Sequence, residues 1–288
     1  MIKKLASLFK LDSTVIKGSG DDCAVLKFNS KMRQLFTCDM IVEGVDFTPR
    51  DNPYLVGRKA LAISISDIAA CAGIPRHAVV SLGLPRNSTV SRISKIAKGI
   101  SELAERYGIN IVGGDISSSP RLTIDVSMLG VVEKKKLCLR STARKEDIIF
   151  VSGPLGGSIK GKHLKFEPRL KEARFLVRHF KVNSMIDISD GLTQDLWHIL
   201  EQSSLSAVLY ESLIPLTKEA SGLRDALYSG EDFELLFTAS RKEAKKIFAA
   251  KSYKFFPIGE IVSGRSGLSL VDKINRQIRI NPKGYRHF

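Results

Sequence analysis

Met185-Ile186-Asp187-Ile188-Ser189-Asp190-Gly191-Leu192 is the stretch that decides how this chain is read. Its apolar start reads as a strand. Leu192, Leu196, Ile199 and Leu200 then recur at helical spacing, so a helix is expected to begin near Asp190. Asp187 and Asp190 crowd this handover, with the Ser189 hydroxyl beside them. Carboxylates at such a turn suit a hard cation such as Mg2+, which takes oxygen ligands. A helix capped by Ser189 or Asp190 accounts for one acid and leaves the other unexplained. On this stretch alone the two readings stand side by side.

Outward from it, strand-like and helical runs alternate in both halves of the chain. A short amphipathic helix is expected over residues 2–9, and strands over 23–26 and 34–38, the latter ending at Asp39. Pro53 opens a long helix reaching Ala72. A strand over 78–84 is closed by Pro85, and Ile93, Ile96, Ala97, Ile100, Leu103, Ala104 and Tyr107 form a helix face. Then come a strand over 109–112, a turn at Gly113-Gly114-Asp115 and a strand over 122–132. Charge density rises over 133–147, which places a domain boundary there: residues 1–135 and 136–288. The second half reads as strands over 148–151, 207–210 and 233–238, helices over 170–179 and 241–250, and short closing strands. The class is α/β (α+β) with two domains.

Composition narrows the function classes. The chain has 288 residues, 43% of them apolar, enough for a substantial core. Cys23, Cys38, Cys71 and Cys138 form no C-x-x-C pair, which excludes a disulfide scaffold and fits a reducing compartment. Met1 to Phe9 lacks an apolar run of signal-peptide length, so a cytoplasmic location is expected. The small-apolar region Ala60 to Ala72 is interrupted by Ser64, Ser66 and Asp67, too short and polar to span a bilayer. The net charge of +15 invites a nucleic-acid reading. Its densest run, Lys134-Lys135-Lys136, reads as a solvated turn, and no aromatic residues interleave with the basic ones as single-strand binders require. A diffuse basic surface suits phosphorylated small molecules, with neither nucleic acid nor membrane as partner.

Within this basic chain, acids recur beside apolar elements. Asp21 and Asp22 follow Gly18-Ser19-Gly20, Asp39 ends its strand, and Asp115 follows two glycines. Each alone suits an ordinary turn. Asp67 is more telling, since Ile63, Ile65, Ile68, Ala69 and Ala70 surround it in a helix. A carboxylate there is costly unless paired or metal-bound; Lys59 or Arg58 would be the pairing alternative. Gly156-Gly157-Ser158-Ile159-Lys160-Gly161-Lys162-His163 nearly matches a P-loop. It lacks the Ser or Thr after Lys that holds Mg2+ and reads as a flexible basic loop.

Six segments in order resemble the thiamine-monophosphate kinase family. They are Gly20-Asp21-Asp22-Cys23-Ala24-Val25-Leu26; Asp39 through Phe47; Lys59-Ala60-Leu61-Ala62 with Ser66-Asp67-Ile68-Ala69-Ala70; Val112-Gly113-Gly114-Asp115; Met185 through Leu192; and Gly230-Glu231-Asp232-Phe233-Glu234-Leu235-Leu236-Phe237. The superfamily also holds aminoimidazole ribonucleotide synthetase, selenophosphate synthetase and a hydrogenase-maturation protein. The resemblance implies a two-domain aminoimidazole ribonucleotide synthetase-like fold and a homodimer. Strands of the first domain would meet the partner's in a barrel-like sheet, with ATP near that interface. It implies ATP-dependent conversion of thiamine phosphate to thiamine diphosphate. Carried over position by position, Asp22, Asp39, Asp67, Asp115, Asp187 and Asp190 would hold Mg2+, with oxygens of Thr37 and Cys38 beside them. Gly114, Asp115, Arg140 and Ser189 would contact ATP, and Asp46, Glu231 and Tyr285 would face the thiamine phosphate.

That chemistry needs many acids and no catalytic residue beyond the metal ligands. The attacking phosphate oxygen is already anionic, so what remains is holding two anions in line and neutralising their charge. Three departures touch the substrate side. Asp46 stands where the family usually has His, Ser229 replaces a Gly, and the segment 156–168 is short and expected to lack a helix. The alternatives are another ATP-using superfamily enzyme with a different acceptor, and a non-catalytic nucleotide-binding assembly protein. Clustered acids argue against the second.

Overall fold

The computed structural model describes residues 2–6, 8–264 and 267–285. The chain divides into two compact units. The first comprises 1–68, 73–135 and 164–168; the second comprises 69–72, 136–163 and 169–288.

The first unit is a six-stranded sheet covered on one face by two helices. In chain order it contains α1 (Ile2–Ala6), β1 (Val15–Lys17), β2 (Ala24–Lys27), β3 (Met32–Val42), α2 (Pro53–Ala70), β4 (Ile74–Leu84), α3 (Val90–Tyr107), β5 (Asn110–Ser118) and β6 (Thr123–Glu133). The expected helix over 2–9 is thus α1, and Ser7 lies outside the described residues. The strand order is β1-β2-β3-β6-β4-β5, antiparallel except for β4 with β5, which α3 connects as a crossover. Alternation decides the faces. On β6, Ile124, Val126, Met128 and Val132 are buried, while Thr123, Asp125, Ser127 and Leu129 are only partly covered. On β3, Leu35, Thr37 and Ile41 point inward, and Phe36, Cys38 and Met40 point out.

Two expectations change here. β3 runs through Asp39 to Val42, so Asp39 is a strand residue with a defined face, not a strand end. Gly113-Gly114-Asp115, expected as a turn, lies inside β5. A Cβ at Gly114 would sit 1.8 Å from the Val80 carbonyl oxygen, so the glycine serves a close approach between strands.

Glycines also set the α2–α3 contact. A Cβ on Gly57 would lie 2.1 Å from the Ile96 carbonyl oxygen, and one on Gly99 would lie 2.0 Å from that of Tyr54. Gly99→Ala is therefore expected to destabilise the protein by about 1–3 kcal/mol through overpacking, despite the better helix propensity of Ala. Urea unfolding checks this; an unchanged midpoint would contradict it.

The second unit is a seven-stranded sheet with helices on both faces. It holds β7 (Ile148–Val151), the short helix α4 (Lys162–Lys165), whose end falls in the first unit, α5 (Leu170–His179), β8 (Ser184–Asp187), α6 (Leu192–Ser203), β9 (Ser206–Tyr210), α7 (Leu223–Tyr228), β10 (Leu235–Ala239), α8 (Arg241–Ala249), β11 (Phe256–Val262), β12 (Leu268–Val271) and β13 (Gln277–Arg279). The order is β13-β12-β9-β11-β7-β10-β8. Leu192, Leu196, Ile199 and Leu200 of α6 pack on one face with Ile186, Leu209 and Ile261. Ala173 and Leu176 of α5 and Ala244 and Ile247 of α8 pack on the other with Phe150 and Phe237. All five residues of β10 are buried, as a strand covered on both sides requires.

The segment 156–168 departs from its expectation. It contains a 3-10 turn at Ser158–Lys160 and the helix α4. It is also tethered: the Gly156 N–H and the Ser158 hydroxyl donate to buried Asp232, and Lys162 reaches Glu234 at 3.0 Å.

Candidate active site

In the first unit, the bend before β2 together with β3 and α2 brings four of the expected residues together. Asp22 and Asp67 hold carboxylate oxygens within 4.8 Å of each other. The Thr37 hydroxyl donates to Asp67. The Asp39 carboxylate accepts from Ser64 of α2 at 2.8 Å. Burial, reinforced by the negative charges of Asp125 and Asp22 and partly offset by the Ser64 hydrogen bond, pushes the Asp39 carboxyl up to about 6. A set of hard oxygen donors that raises its own proton affinity is what a divalent cation would relieve. Of the ion-pair partners considered for Asp67, Arg58 pairs with Glu167 at 2.6 Å, and Lys59 donates to the Asp46 carbonyl at 2.9 Å.

Asp115 is not part of that group. The register aligns Met40, Asp125, Ser81 and Asp115 in one row across β3, β6, β4 and β5. Three strand spacings separate β3 from β5, roughly 14 Å along the sheet. Asp115 is exposed on the edge strand, and Gly114 beside it lies against Val80. Asp125 was not singled out in the sequence. It accepts from the Cys38 thiol at 3.1 Å, so the Cys38 side chain turns away from Asp39 and Thr37. Asp46 folds back on its own turn, accepting from the Val42 N–H at 2.7 Å.

In the second unit, Asp187 closes β8 and is buried, and Ser189 and Asp190 are half-buried in the turn before α6. The helix starts at Leu192, two residues after Asp190, and its N-cap is Gly191, which has no side chain to cap with. Neither Ser189 nor Asp190 is the cap. The capping function falls to a residue the sequence did not single out: Asp195 accepts from the N–H groups of Asp190 and Gly191 at 3.1 and 3.0 Å. Asp195 is 2% exposed. Burial drives its carboxyl well above the usual range, and the charges of Asp190 and Asp187 add to this, against Arg140 and the Gly191 N–H. Asp190, Asp195 and half-buried His198 hold potential ligand atoms within 4.8 Å.

The Glu231 segment braces this turn. Gly230, Glu231 and Phe233 all have positive φ, at 70°, 59° and 49°, a strained run for the two side-chain-bearing residues. The Glu231 N–H donates to the Ser189 carbonyl at 2.7 Å and the Phe233 N–H to that of Ile188 at 2.8 Å. Tyr285, itself exposed, donates its N–H to the Asp190 carbonyl at 3.0 Å. Arg140 opens a 3-10 turn and acts electrostatically on Asp195.

Residues 20–132 match the N-terminal domain of AIR synthase related proteins, and residues 131–271 match their C-terminal domain. Hydrogenase maturation protein HypE in complex with ATP, at 16% identity and a TM-score of 0.75, shares the fold. Sheet architecture and paired acid groups thus define an AIR synthase related protein. Among relatives, the thiamine-monophosphate kinase of Bacillus subtilis is 34% identical, covering 96% of this chain and 94% of its own. That of Rhodopirellula baltica is 35% identical over 95% and 92%. A solved structure described as AaThiL complexed with AMPPCP and TMP superposes with a TM-score of 0.86 at 28% identity, covering 100% of this chain and 94% of that one. The chain belongs to the thiamine-monophosphate kinase family. Among the described residues, no helix is long and apolar enough to cross a membrane.

Proposed function

We propose that the protein transfers the γ-phosphoryl group of ATP to the phosphate of thiamine phosphate, giving thiamine diphosphate and ADP. The observation that carries this reading is the crowded carboxylate set of Asp22, Asp39 and Asp67, in a chain that aligns end to end with a relative described as complexed with AMPPCP and TMP. Asp22, Asp39 and Asp67, with Thr37 and Cys38 oxygens, would hold Mg2+ in the first unit, and Asp187 and Asp190 in the second. When bound, Mg2+ would neutralise phosphate charge and stabilise the transferring group. The protein's own part is orientation. Ser64 fixes the Asp39 carboxylate and Thr37 fixes that of Asp67. Asp195, Glu231 and Tyr285 hold the backbone of Ser189 and Asp190 from three sides. Gly114, Asp115, Arg140 and Ser189 would contact ATP; Asp46, Glu231 and Tyr285 would face thiamine phosphate.

The active form is proposed to be a cytoplasmic homodimer joined through the outer face of the six-stranded sheet. That face leaves Phe36, Met40 and Val79 substantially exposed, which calls for a covering surface. Incubation with Mg-ATP and an acceptor panel tests the function. Thiamine phosphate is expected to give thiamine diphosphate, and free thiamine none. ATP binding without product from any thiamine compound would overturn it.

A further inference from the structure

Asp195 stands out among buried titratable groups because the reaction as drawn gives it no task. A carboxylate 2% exposed and beside two further acids is costly to retain. Its oxygen reaches backward out of α6 to two N–H groups that precede the helix. One belongs to Asp190 and the other to Gly191, whose φ of 123° turns the chain into α6. The Asp190 carbonyl is held at the same time by the Tyr285 N–H at 3.0 Å, so the peptide units on both sides of Asp190 are fixed. The opposing wall is equally close: a Cβ on Gly230 would lie 2.5 Å from the Ser189 carbonyl oxygen.

We propose that Asp195 is a positioning residue that sets the Asp190 carboxylate for Mg2+ by clamping the Asp190 and Gly191 amides from inside α6. This rests on the metal role given to Asp190 above. Asp195 acts as a hydrogen-bond acceptor and touches neither metal nor substrate. Groups behind a metal ligand typically tune its affinity about 10- to 100-fold, whereas a helix cap affects stability alone.

The test is calorimetric titration of AMPPCP into the full-length protein across a Mg2+ series, with melting temperature followed in parallel. Asp195→Ala is expected to raise the Mg2+ needed for half-maximal nucleotide binding by about tenfold or more. Asp195→Asn keeps an acceptor oxygen and is expected to stay close to wild type. Unchanged Mg2+ dependence in Asp195→Ala, with only a lower melting temperature, would overturn the proposal. So would an Asn variant as impaired as the Ala one, because charge rather than acceptance would then be at work. If Asp195→Ala does not fold, Asp195→Glu takes its place. It keeps the charge and displaces the acceptor, so its Mg2+ dependence is expected to weaken; a wild-type response would refute the clamp. Wild-type protein that binds nucleotide without Mg2+ dependence would instead refute the metal reading, which separates the two failures.

Discussion

Asp190→Asn is expected to lower turnover by roughly 100-fold or more, the size of effect seen when one charge-stabilising group is removed from a transition state, while the protein stays folded. Asn has the same shape, and the backbone of this position is held on its own account. The Asp190 N–H goes to Asp195 and its carbonyl receives the Tyr285 N–H. Neither needs the carboxylate. The side chain is half-buried at the end of a buried strand, with Asp187 three residues before it. Both backbone bonds survive the change, so the melting temperature is expected to stay close to wild type. Turnover falls because a neutral amide oxygen is a poor partner for a hard divalent cation. Steady-state kinetics at saturating ATP with a parallel thermal melt checks both halves. Near-full activity would remove Asp190 from the metal site.

Glu234→Ala is expected to cost about 3 kcal/mol, at the lower end of what breaking a buried ion pair costs. Glu234 is 1% exposed and accepts from Arg169 through two nitrogens at 2.7 and 2.6 Å, from Ser152 at 2.7 Å and from Lys162 at 3.0 Å. The two cations are about a quarter exposed, 27% and 29%, so water recovers part of their solvation and keeps the loss from being larger. Arg169 also keeps Glu172 at 3.2 Å. Gly153 faces the carboxylate so closely that a Cβ there would lie 2.6 Å from it, so the site is shaped around Glu234. For the second unit this corresponds to a melting-temperature drop of roughly 6–12 °C. The same change takes from Lys162 its nearer partner and leaves it Asp232 at 3.9 Å, while the Gly156 N–H and the Ser158 hydroxyl keep their bonds to Asp232; KM for the acceptor is expected to rise modestly as Lys162 loosens. A melting temperature within a degree of wild type would show that the network contributes little.

The main lines of the fold were legible because periodicity carried them. The buried run of β8 and the apolar stripe of α6 were both visible in Met185 to Leu200. Where local rules misled, tertiary contact was the cause. Gly113-Gly114 looks like a turn signal, but Gly114 is small because Val80 of the neighbouring strand leaves no room. Asp125 sits at a solvent-side position of an alternating strand, where an acid is unremarkable until the register places it in line with Met40 and Asp115. Asp195 looks like an ordinary polar residue in the first turn of a helix. Its burial comes from the way α6 packs and its backbone partners lie upstream. The loop at Gly156 reads as flexible in the sequence because its anchors, Asp232 and Glu234, lie more than seventy residues later.

Direct, metal-assisted transfer between two phosphates, with no nucleophile from the protein, is the central claim. It is tested by supplying thiamine phosphate and ATP made chiral at its γ-phosphorus, then determining the configuration of the terminal phosphoryl group in the product. Thiamine diphosphate with inverted configuration is predicted, as a single in-line displacement requires. Retained configuration, which needs a phosphorylated protein intermediate, or no thiamine diphosphate at all, would contradict it.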